Sequence, residues 1–356
     1  MTNIALVGGG TAGHIMPNIA LVPELKKHFD NVIYIGTPNS MEQDICKKQN
    51  IPYYPTKATK FYRRKLWKNA TLPITLIKGI RQARRILKDK DISLVFSKGG
   101  YAAIPTVIAA KMLGIPIVCH ESDRSMGLAN RLTAPFSERV YTAFPKTHRK
   151  AFIMPTPVRK EIFEGKTLDF FPNKERKTLL FMGGSLGAKA INEALSEAYA
   201  ALSDKYNILH ITGRGGMPLK TPSYRAFPYA DNIADLFATA DLVISRGGAS
   251  TLGELTALGK RVLVIPLPKG ESRGDQEENA AYYRSLGLVS VLPESALTAE
   301  TLVSVIDDII MKRPPAPAYD KKTPAILAEE LFTIAGMRHF GRGKGENVSV
   351  GASRRF

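Results

Sequence analysis

Short apolar runs alternate with longer amphipathic segments along most of the chain. In the first half they predict strands near residues 3–7, 32–35, 92–96, 116–119 and 139–143, with helices between them. A second series follows, with strands near 178–182, 207–211, 241–244, 261–265 and 288–291. This alternation is typical of a doubly wound α/β fold with a parallel sheet.

The alternation pauses between residues 152 and 177, where prolines and charged residues are frequent. A strand that opens into a glycine turn and a helix occurs on both sides of this pause, at residues 3–13 and 178–188. We therefore predict two Rossmann-like domains around a cleft, residues 1–158 and 159–335. The basic, glycine-rich residues 336–356 predict a disordered tail.

In such sheets, ligands bind beyond the carboxyl ends of the strands. Most of the glycine-rich turns of this chain fall at those ends, and each precedes a predicted helix. Backbone N–H groups at a helix N-terminus favour an anion, and consecutive glycines let them approach it closely. The turns at residues 8–13, 99–100, 183–187 and 247–248 therefore predict a site for a diphosphate.

Gly8, Gly10 and Gly13 also have the spacing of a dinucleotide-binding turn. A dinucleotide site needs an acidic residue at the end of the second strand, to hold the ribose hydroxyls. Here that strand runs into Gly36, and the next acid is Glu42. The sequence therefore predicts no dinucleotide cofactor.

Two groups are candidates for a proton acceptor. His14 lies at the start of a predicted helix, where the dipole disfavours an imidazolium and leaves a neutral imidazole able to accept a proton. His120 and Glu121 end a buried strand, where a polar pair suggests a functional role. Glu254 lies about a turn and a half into its helix, where it either bridges two ribose hydroxyls or is an ordinary helix acid.

The sequence predicts no metal site. Asp89 and Asp91 have the D-x-D spacing of metal-dependent sugar transferases, but they precede their strand and are interpreted as solvated surface. Cys46 and Cys119 are too far apart to form a ligand pattern, so we expect two core thiols. Helix dipoles and cationic side chains would then stabilise a leaving diphosphate.

The formal net charge of +18 favours a polyanionic partner: nucleic acid, anionic lipid or a phosphorylated substrate. No zinc-finger pattern or RNA-binding aromatic signature accompanies it, which argues against nucleic acid. The apolar stretch 72–77 is preceded by basic and aromatic residues: Arg63, Arg64, Lys65 and Trp67. This combination predicts either contact with an anionic membrane surface or a basic loop before a core helix. No signal peptide is visible, and no apolar run is long enough to span a membrane.

Seven stretches carry a family resemblance, and they occur in the family's order between residue 1 and about residue 330: GGGTAGHIMPNIAL, SKGGY, HESDRSMGLANRL, PTPVR, MGGSLGAKAINE, SRGGASTLGEL and GDQEENA. On these motifs the chain resembles the bacterial peptidoglycan GlcNAc transferases of glycosyltransferase family 28. The resemblance implies the GT-B fold and transfer of GlcNAc, without a metal and with inversion, from UDP-GlcNAc to the C4 hydroxyl of MurNAc in lipid I. It also implies a peripheral location on the cytoplasmic side of the cell membrane.

The resemblance also implies roles for individual residues. His14 is the candidate base, and His120 and Glu121 line the acceptor pocket with Gly9, Gly10, Gly100, Tyr101 and Asp123. The donor residues implied are Thr11, Ala12, Gly13, Arg159, Ser185, Ala230, Gly248, Ala249, Ser250, Glu254 and Gln276, with Glu254 on the ribose and Gln276 on the GlcNAc hydroxyls. Asp123 and Asp275 depart from the family pattern, which has Asn and Gln there.

Two alternatives stay open at this point. One is a related glycolipid synthase that uses a diacylglycerol acceptor. The other is a basic nucleotide- or nucleic-acid-binding protein without catalysis, against which the histidines near the predicted site argue. The residues identify no protein partner in wall synthesis.

Overall fold

The structure is a computed structural model that describes residues 1–60, 66–183, 188–213, 221–230, 232–270 and 272–341. It divides the chain into two compact units. Of the described residues, the first unit contains those within 1–157 together with 321–341, and the second contains those within 158–320.

The first unit is built on a parallel sheet of seven strands in the order β3-β2-β1-β4-β5-β6-β7. Every residue of β1 is buried, which explains its continuous apolar pattern. The elements are β1 (Asn3–Val7), α1 (Ala12–Leu25), β2 (Asn31–Gly36), α2 (Met41–Lys48), β3 (Tyr53–Pro55), α3 (Leu72–Asp89), β4 (Ile92–Ser97), α4 (Ile104–Leu113), β5 (Ile117–Glu121), α5 (Leu128–Thr133), β6 (Arg139–Thr142) and β7 (Phe152–Ile153).

The second unit repeats this architecture with a parallel sheet of six strands in the order β10-β9-β8-β11-β12-β13. Its elements are β8 (Thr178–Met182), α6 (Lys189–Ser203), β9 (Asn207–Ile211), β10 (Tyr224–Phe227), α7 (Ile233–Thr239), β11 (Leu242–Ser245), α8 (Ala249–Ala257), β12 (Arg261–Val264), α9 (Asp275–Ser285), β13 (Ser290–Val291) and α10 (Ala299–Ile310). The prediction of two Rossmann-like parallel-sheet domains is confirmed.

The sequence pattern missed three strands: β3, β7 and β10. Each lies at the edge of its sheet and has only two to four residues. An edge strand is paired on one side only, and Arg225 and Ala226 of β10 face solvent. Such a strand needs no apolar run, so periodicity does not reveal it.

The last helix, α11 (Thr323–Gly341), belongs to the first unit and not to the second as predicted. Its buried residues Leu327 and Leu331 lie in the same core cluster as Ile4 and Leu6 of β1. Glu330 accepts hydrogen bonds from Arg139 and Tyr141 of β6. The second compact unit therefore ends at residue 320, whereas the predicted second domain ran to residue 335. Burial of the helix's apolar face, and not chain order, decides where the helix packs.

The helix also continues past residue 336, where the sequence predicted the start of a disordered tail. Residues 342–356 of that predicted tail lie outside the described residues. Within the described part of the chain, no helix is both long and apolar enough to cross a membrane. Cys46 and Cys119 are buried free thiols, as predicted.

Candidate donor and acceptor sites

The glycine-rich turn of the first unit presents His14 at the start of α1. Thr11 precedes the helix in extended conformation, but its side chain does not cap it. Instead, Thr11 Oγ1 lies 2.9 Å from His14 Nδ1. When Nδ1 donates to this hydroxyl, Nε2 is the unprotonated ring nitrogen, which is the tautomer that a base requires. Ala12 and Gly13 form the first turn, which contains no acidic residue.

A second glycine turn, after β4, contacts the first one directly. Gly100 has a φ of +79°, and a β-carbon there would overlap the carbonyl oxygen of Gly9. Gly10, with a φ of +88°, leaves room for the ring of Tyr101, since a β-carbon at residue 10 would lie 2.8 Å from that ring. These glycines therefore bring together Gly9, Gly10, Gly100 and Tyr101, four of the residues predicted for the acceptor.

Glu121 lies near this turn but its oxygens have other partners. Its carboxylate accepts hydrogen bonds from the backbone N–H of Asp123 (3.0 Å) and of Gly127 (2.8 Å) and from Asn130 Nδ2 (3.0 Å). The side chain is buried. This geometry makes Glu121 the anchor of the loop 122–127, on which Asp123 is half-buried, and it favours His14 over Glu121 as the base.

His120 is also buried, and its partner is a residue that sequence analysis missed. Its Nε2 donates to the carbonyl oxygen of Met154 (3.0 Å), and its Nδ1 accepts from Lys98 Nζ (2.5 Å). Burial is the main cause that holds the pKa of His120 well below its usual value, and the charge of Lys98 lowers it further. The imidazole is thus a neutral structural group in this structure. The sequence did offer a signal for Lys98, because this lysine stands between the end of a buried strand and the glycine pair at residues 99–100.

In the second unit, Arg159 and Glu254 form an ion pair. Arg159 Nε and Nη2 both donate to Glu254 Oε1, at 3.1 and 2.9 Å. The side chain of Glu254 is only 13% exposed. Burial raises the pKa of Glu254, and the guanidinium of Arg159 counteracts that effect. Arg159 therefore orients the carboxylate that the family resemblance assigns to the ribose.

Gln276 joins two strand ends of the second unit. Its side-chain oxygen accepts from the backbone N–H groups of Gly247 and Leu267, both at 3.1 Å. Asn279 Nδ2 donates to the carbonyl oxygen of Gly247 (3.2 Å). A hydrogen-bonded oxygen fixes the plane of the amide, so its N–H₂ group has a defined direction from which to donate to a ligand.

The turn after β11 leads into α8 without an acidic residue or a side-chain cap in its first turn. Gly248 precedes Ala249, and a β-carbon at Gly248 would meet nothing within 4 Å. Ala249 is buried and Ser250 is half-buried on the first turn of the helix. This is the electrostatic arrangement that favours an anion.

Ala230, predicted near the uracil, is half-buried after β10, and Ser185 lies outside the described residues. His210 of β9 was not among the predicted site residues; its ring nitrogens bond to the Tyr224 hydroxyl (2.8 Å) and to Asn192 Oδ1 (3.0 Å). Asn192 Nδ2 in turn donates to the carbonyl oxygen of Thr212 (3.0 Å), so the start of α6 is tied to the end of β9. A polar residue inside the apolar run 207–211 was the available signal.

Of the residues predicted to contact a membrane, Trp67 is 74% exposed, whereas Arg63, Arg64 and Lys65 lie outside the described residues. Asp89 and Asp91 are exposed and precede β4, as predicted. In the described residues, no group of three or more His, Cys, Asp or Glu side chains is placed to hold a metal ion.

Two Rossmann-like units with glycine turns at the carboxyl ends of parallel strands are the architecture of GT-B glycosyltransferases. The calicheamicin glycosyltransferase CalG4 has this fold, with a TM-score of 0.69 at 15% identity over 95% of this chain and 99% of that one. Acinetobacter baumannii MurG superposes with a TM-score of 0.68 at 25% identity, covering 94% of this chain and 95% of that one.

The domain descriptions are more specific. The N-terminal domain of glycosyltransferase family 28 matches residues 4–142, and the C-terminal domain of that family matches residues 178–331. The chain belongs to glycosyltransferase family 28.

Two relatives are named UDP-N-acetylglucosamine--N-acetylmuramyl-(pentapeptide) pyrophosphoryl-undecaprenol N-acetylglucosamine transferase. The one from Clostridium novyi is 39% identical over 87% of this chain and 91% of its own length. The one from Clostridium perfringens is 41% identical over 87% of this chain and 90% of its own length.

Proposed function

We propose that this protein transfers GlcNAc from UDP-GlcNAc to the C4 hydroxyl of MurNAc in undecaprenyl-diphospho-MurNAc-pentapeptide, a step of peptidoglycan precursor synthesis. The names of the relatives support this donor and this acceptor. They favour it over a diacylglycerol acceptor, and membership of a transferase family disfavours a non-catalytic binding protein.

The observation that carries the chemistry is the pair of Thr11 and His14 at the glycine turn. In the proposed reaction, His14 Nε2 removes the proton from the C4 hydroxyl as its oxygen bonds to C1 of GlcNAc. The C1–O bond to the diphosphate breaks, UDP leaves with the bonding electrons, and attack from the opposite face inverts C1. Gly9, Gly10, Gly100, Tyr101 and Asp123 would contact the acceptor.

The second unit would hold the donor. Glu254, oriented by Arg159, accepts from the ribose hydroxyls, and Gln276 donates to GlcNAc. The uncapped start of α8, with Gly248, Ala249 and Ser250, stabilises the negative charge of the diphosphate. This charge grows as UDP leaves, so the same helix end stabilises the transition state more than the ground state.

The acceptor is a lipid, and one face of α3 is suited to meet the cytoplasmic side of a membrane. Ile74 is 59% exposed and Ile77 is 50% exposed. Lys78 and Arg81, also exposed, follow Ile74 at four and seven positions, so all four share a helix face. The two isoleucines would insert between the lipid headgroups, and Lys78 and Arg81 would pair with the anionic headgroups. These contacts would associate the protein peripherally with anionic phospholipid.

The experiment that tests the reaction offers radiolabelled UDP-GlcNAc together with a lipid I analogue, or with diacylglycerol. We expect label in the lipid I analogue only. Transfer to diacylglycerol alone would refute the proposed acceptor. No transfer, combined with salt-dependent affinity for nucleic acid, would favour the non-catalytic alternative.

The role of His14 is tested by His14→Ala, with His148→Ala as a matched histidine control in the same unit. A general base contributes about 10²–10⁴-fold, so we expect His14→Ala to lower kcat by at least 100-fold. Its affinity for UDP-GlcNAc, measured by calorimetry, should stay unchanged. A kcat equal to that of His148→Ala would remove His14 as the base.

The membrane contact is tested by co-sedimentation with vesicles that contain phosphatidylglycerol. Replacing both Ile74 and Ile77 by Ser should weaken binding by about tenfold or more. Met311→Ser is the matched control, because Met311 is 85% exposed but lies in the second unit. If the double variant binds as the control does, the contact lies elsewhere.

A further inference from the structure

Lys98 is a buried lysine whose role is not explained by the proposed chemistry. Only 1% of the residue is exposed. Its Nζ lies 2.5 Å from His120 Nδ1 and 2.6 Å from Ser122 Oγ. Burying an ammonium group is costly unless its hydrogen bonds are satisfied, so a lysine in this position calls for a functional explanation.

The two partners of Lys98 lie on either side of Glu121 along the chain. His120 is fixed at its other nitrogen by the carbonyl oxygen of Met154. Ser122 accepts a second hydrogen bond from Thr156 Oγ1, at 3.2 Å. Lys98 directly follows β4 and therefore ties β5 and the segment 154–156 to the end of that strand.

Lys98 is also adjacent to both glycine turns. It directly precedes Gly99 and Gly100, which leads into Tyr101. Its β-carbon lies 3.1 Å from the position that a β-carbon would occupy at Gly8. Lys98 thus contacts or adjoins each backbone segment that carries a residue assigned to the acceptor: residues 8–10, residues 99–101 and the loop 122–127.

The charges around Lys98 match this arrangement. Burial lowers the pKa of Lys98 to about 7, and the carboxylates of Glu121 and Asp123 oppose that effect. Its two hydrogen-bond partners, His120 and Ser122, are neutral, and so is Thr156, which donates to Ser122. The two carboxylates therefore favour the charged form of Lys98, and its Nζ donates to the two residues that flank Glu121.

We propose that Lys98 is a positioning residue of the acceptor half: by holding His120 and Ser122 it sets the loop 122–127 and the turn at residues 99–101 relative to the turn that carries His14. Lys98 itself does not touch the reacting atoms. This inference deepens the proposed function and rests on it. A displacement of about 1 Å costs about 100-fold in rate, so loss of the lysine should be visible in turnover.

The test compares Lys98→Met with Lys98→Gln, because both remove the charge and only Gln retains an N–H donor. For Lys98→Met we expect kcat/KM for the lipid-linked acceptor to fall by about 30-fold or more, with the KM for UDP-GlcNAc unchanged. Lys98→Gln should recover part of that loss. Lys26→Met, at an exposed lysine of the same unit, is the control for net charge and should match the wild type.

A readout independent of activity is the ¹⁵N resonance of His120, assigned with His120→Gln. In the wild type, Nδ1 should show the shift of an unprotonated nitrogen that accepts a hydrogen bond, and in Lys98→Met it should move toward that of a free acceptor. Ser122→Ala, which removes the other partner, should give a smaller loss of acceptor kcat/KM and serves if Lys98→Met does not fold.

The outcomes separate the two proposals. If the wild type does not glycosylate the lipid I analogue, the proposed function fails, and the His120 resonance alone still tests Lys98. If the wild type is active and Lys98→Met lies within threefold of it, the positioning role is overturned. A parallel loss of donor and acceptor affinity in Lys98→Met would also overturn it, because that pattern indicates general destabilisation.

Discussion

The contact between the two glycine turns of the first unit gives the sharpest structural prediction. Gly100 has a φ of +79°, and a β-carbon there would overlap the carbonyl oxygen of Gly9. Gly100→Ala therefore meets two penalties at once. The matched control is Gly287→Ala, because Gly287 has a φ of +70° but has no atom within 4 Å of the added carbon.

The magnitudes separate the two variants. An alanine at positive φ costs about 1–2 kcal/mol, and the lower entropy of its unfolded chain returns about 0.4–1 kcal/mol. Gly287→Ala should therefore lower the free energy of unfolding by about 1 kcal/mol. Overpacking adds about 1–3 kcal/mol, so Gly100→Ala should lose about 2–4 kcal/mol.

Differential scanning calorimetry measures this difference. A unit of this size shifts its Tm by about 2–4 °C per kcal/mol, so Gly100→Ala should lower the transition of the first unit by roughly 5–15 °C. Its kcat should also fall, because the displaced turn at Gly9 leads into His14. Equal losses of stability in the two variants would refute the close approach of the two turns.

Three further predictions follow from buried charges. Arg159→Met should weaken binding of UDP-GlcNAc by at least tenfold in calorimetric titration, because it leaves the carboxylate of Glu254 buried without its cation. The control Lys160→Met, at an exposed neighbour, should leave that affinity unchanged. Equal effects of the two variants would contradict the role of Arg159. Lys98 releases its proton at about pH 7 when folded and near 10.5 when unfolded, so between these values the unfolded state binds more protons and stability rises with pH. Relative to Lys98→Met, the wild type should therefore gain about 3–4 kcal/mol from pH 7 to pH 10 in denaturant titrations, and a flat difference would refute the shift. Glu121→Gln places an N–H₂ group against N–H donors and should cost about 1–3 kcal/mol of stability; loss of turnover at unchanged stability would instead identify Glu121 as the base.

The sequence predicted the central strands of both sheets because they are buried on both faces. A strand such as β1, with every residue buried, must be continuously apolar, and that pattern is visible without a structure. The edge strand β10 has exposed Arg225 and Ala226, so its pattern resembles that of a loop. The order of the strands in each sheet was also not readable from periodicity, because strand pairing joins segments that are distant along the chain.

The candidate site divides in the same way. The glycine turns and His14 are contiguous in the chain, and their spacing alone indicated an anion site with a proton acceptor. The sequence did not show which of Glu121 and His14 is the better candidate for the base. That distinction depends on Asp123, Gly127 and Asn130, which all donate to the carboxylate of Glu121. His14 follows a glycine turn and Glu121 ends a buried strand. In the sequence both are candidates for a base, and only their hydrogen-bond partners distinguish them.

The sequence by itself determined the two parallel α/β domains, the glycine turns at their strand ends and, through its motifs, the resemblance to glycosyltransferase family 28. Each of these is written in local patterns or in residues that are close along the chain. Only the tertiary structure decided that α11 packs with the first unit, that Arg159 orients Glu254 and that Lys98 binds His120 and Ser122. These features join residues distant in sequence, and they exist because burial brings apolar faces together and requires each buried charge to find a partner.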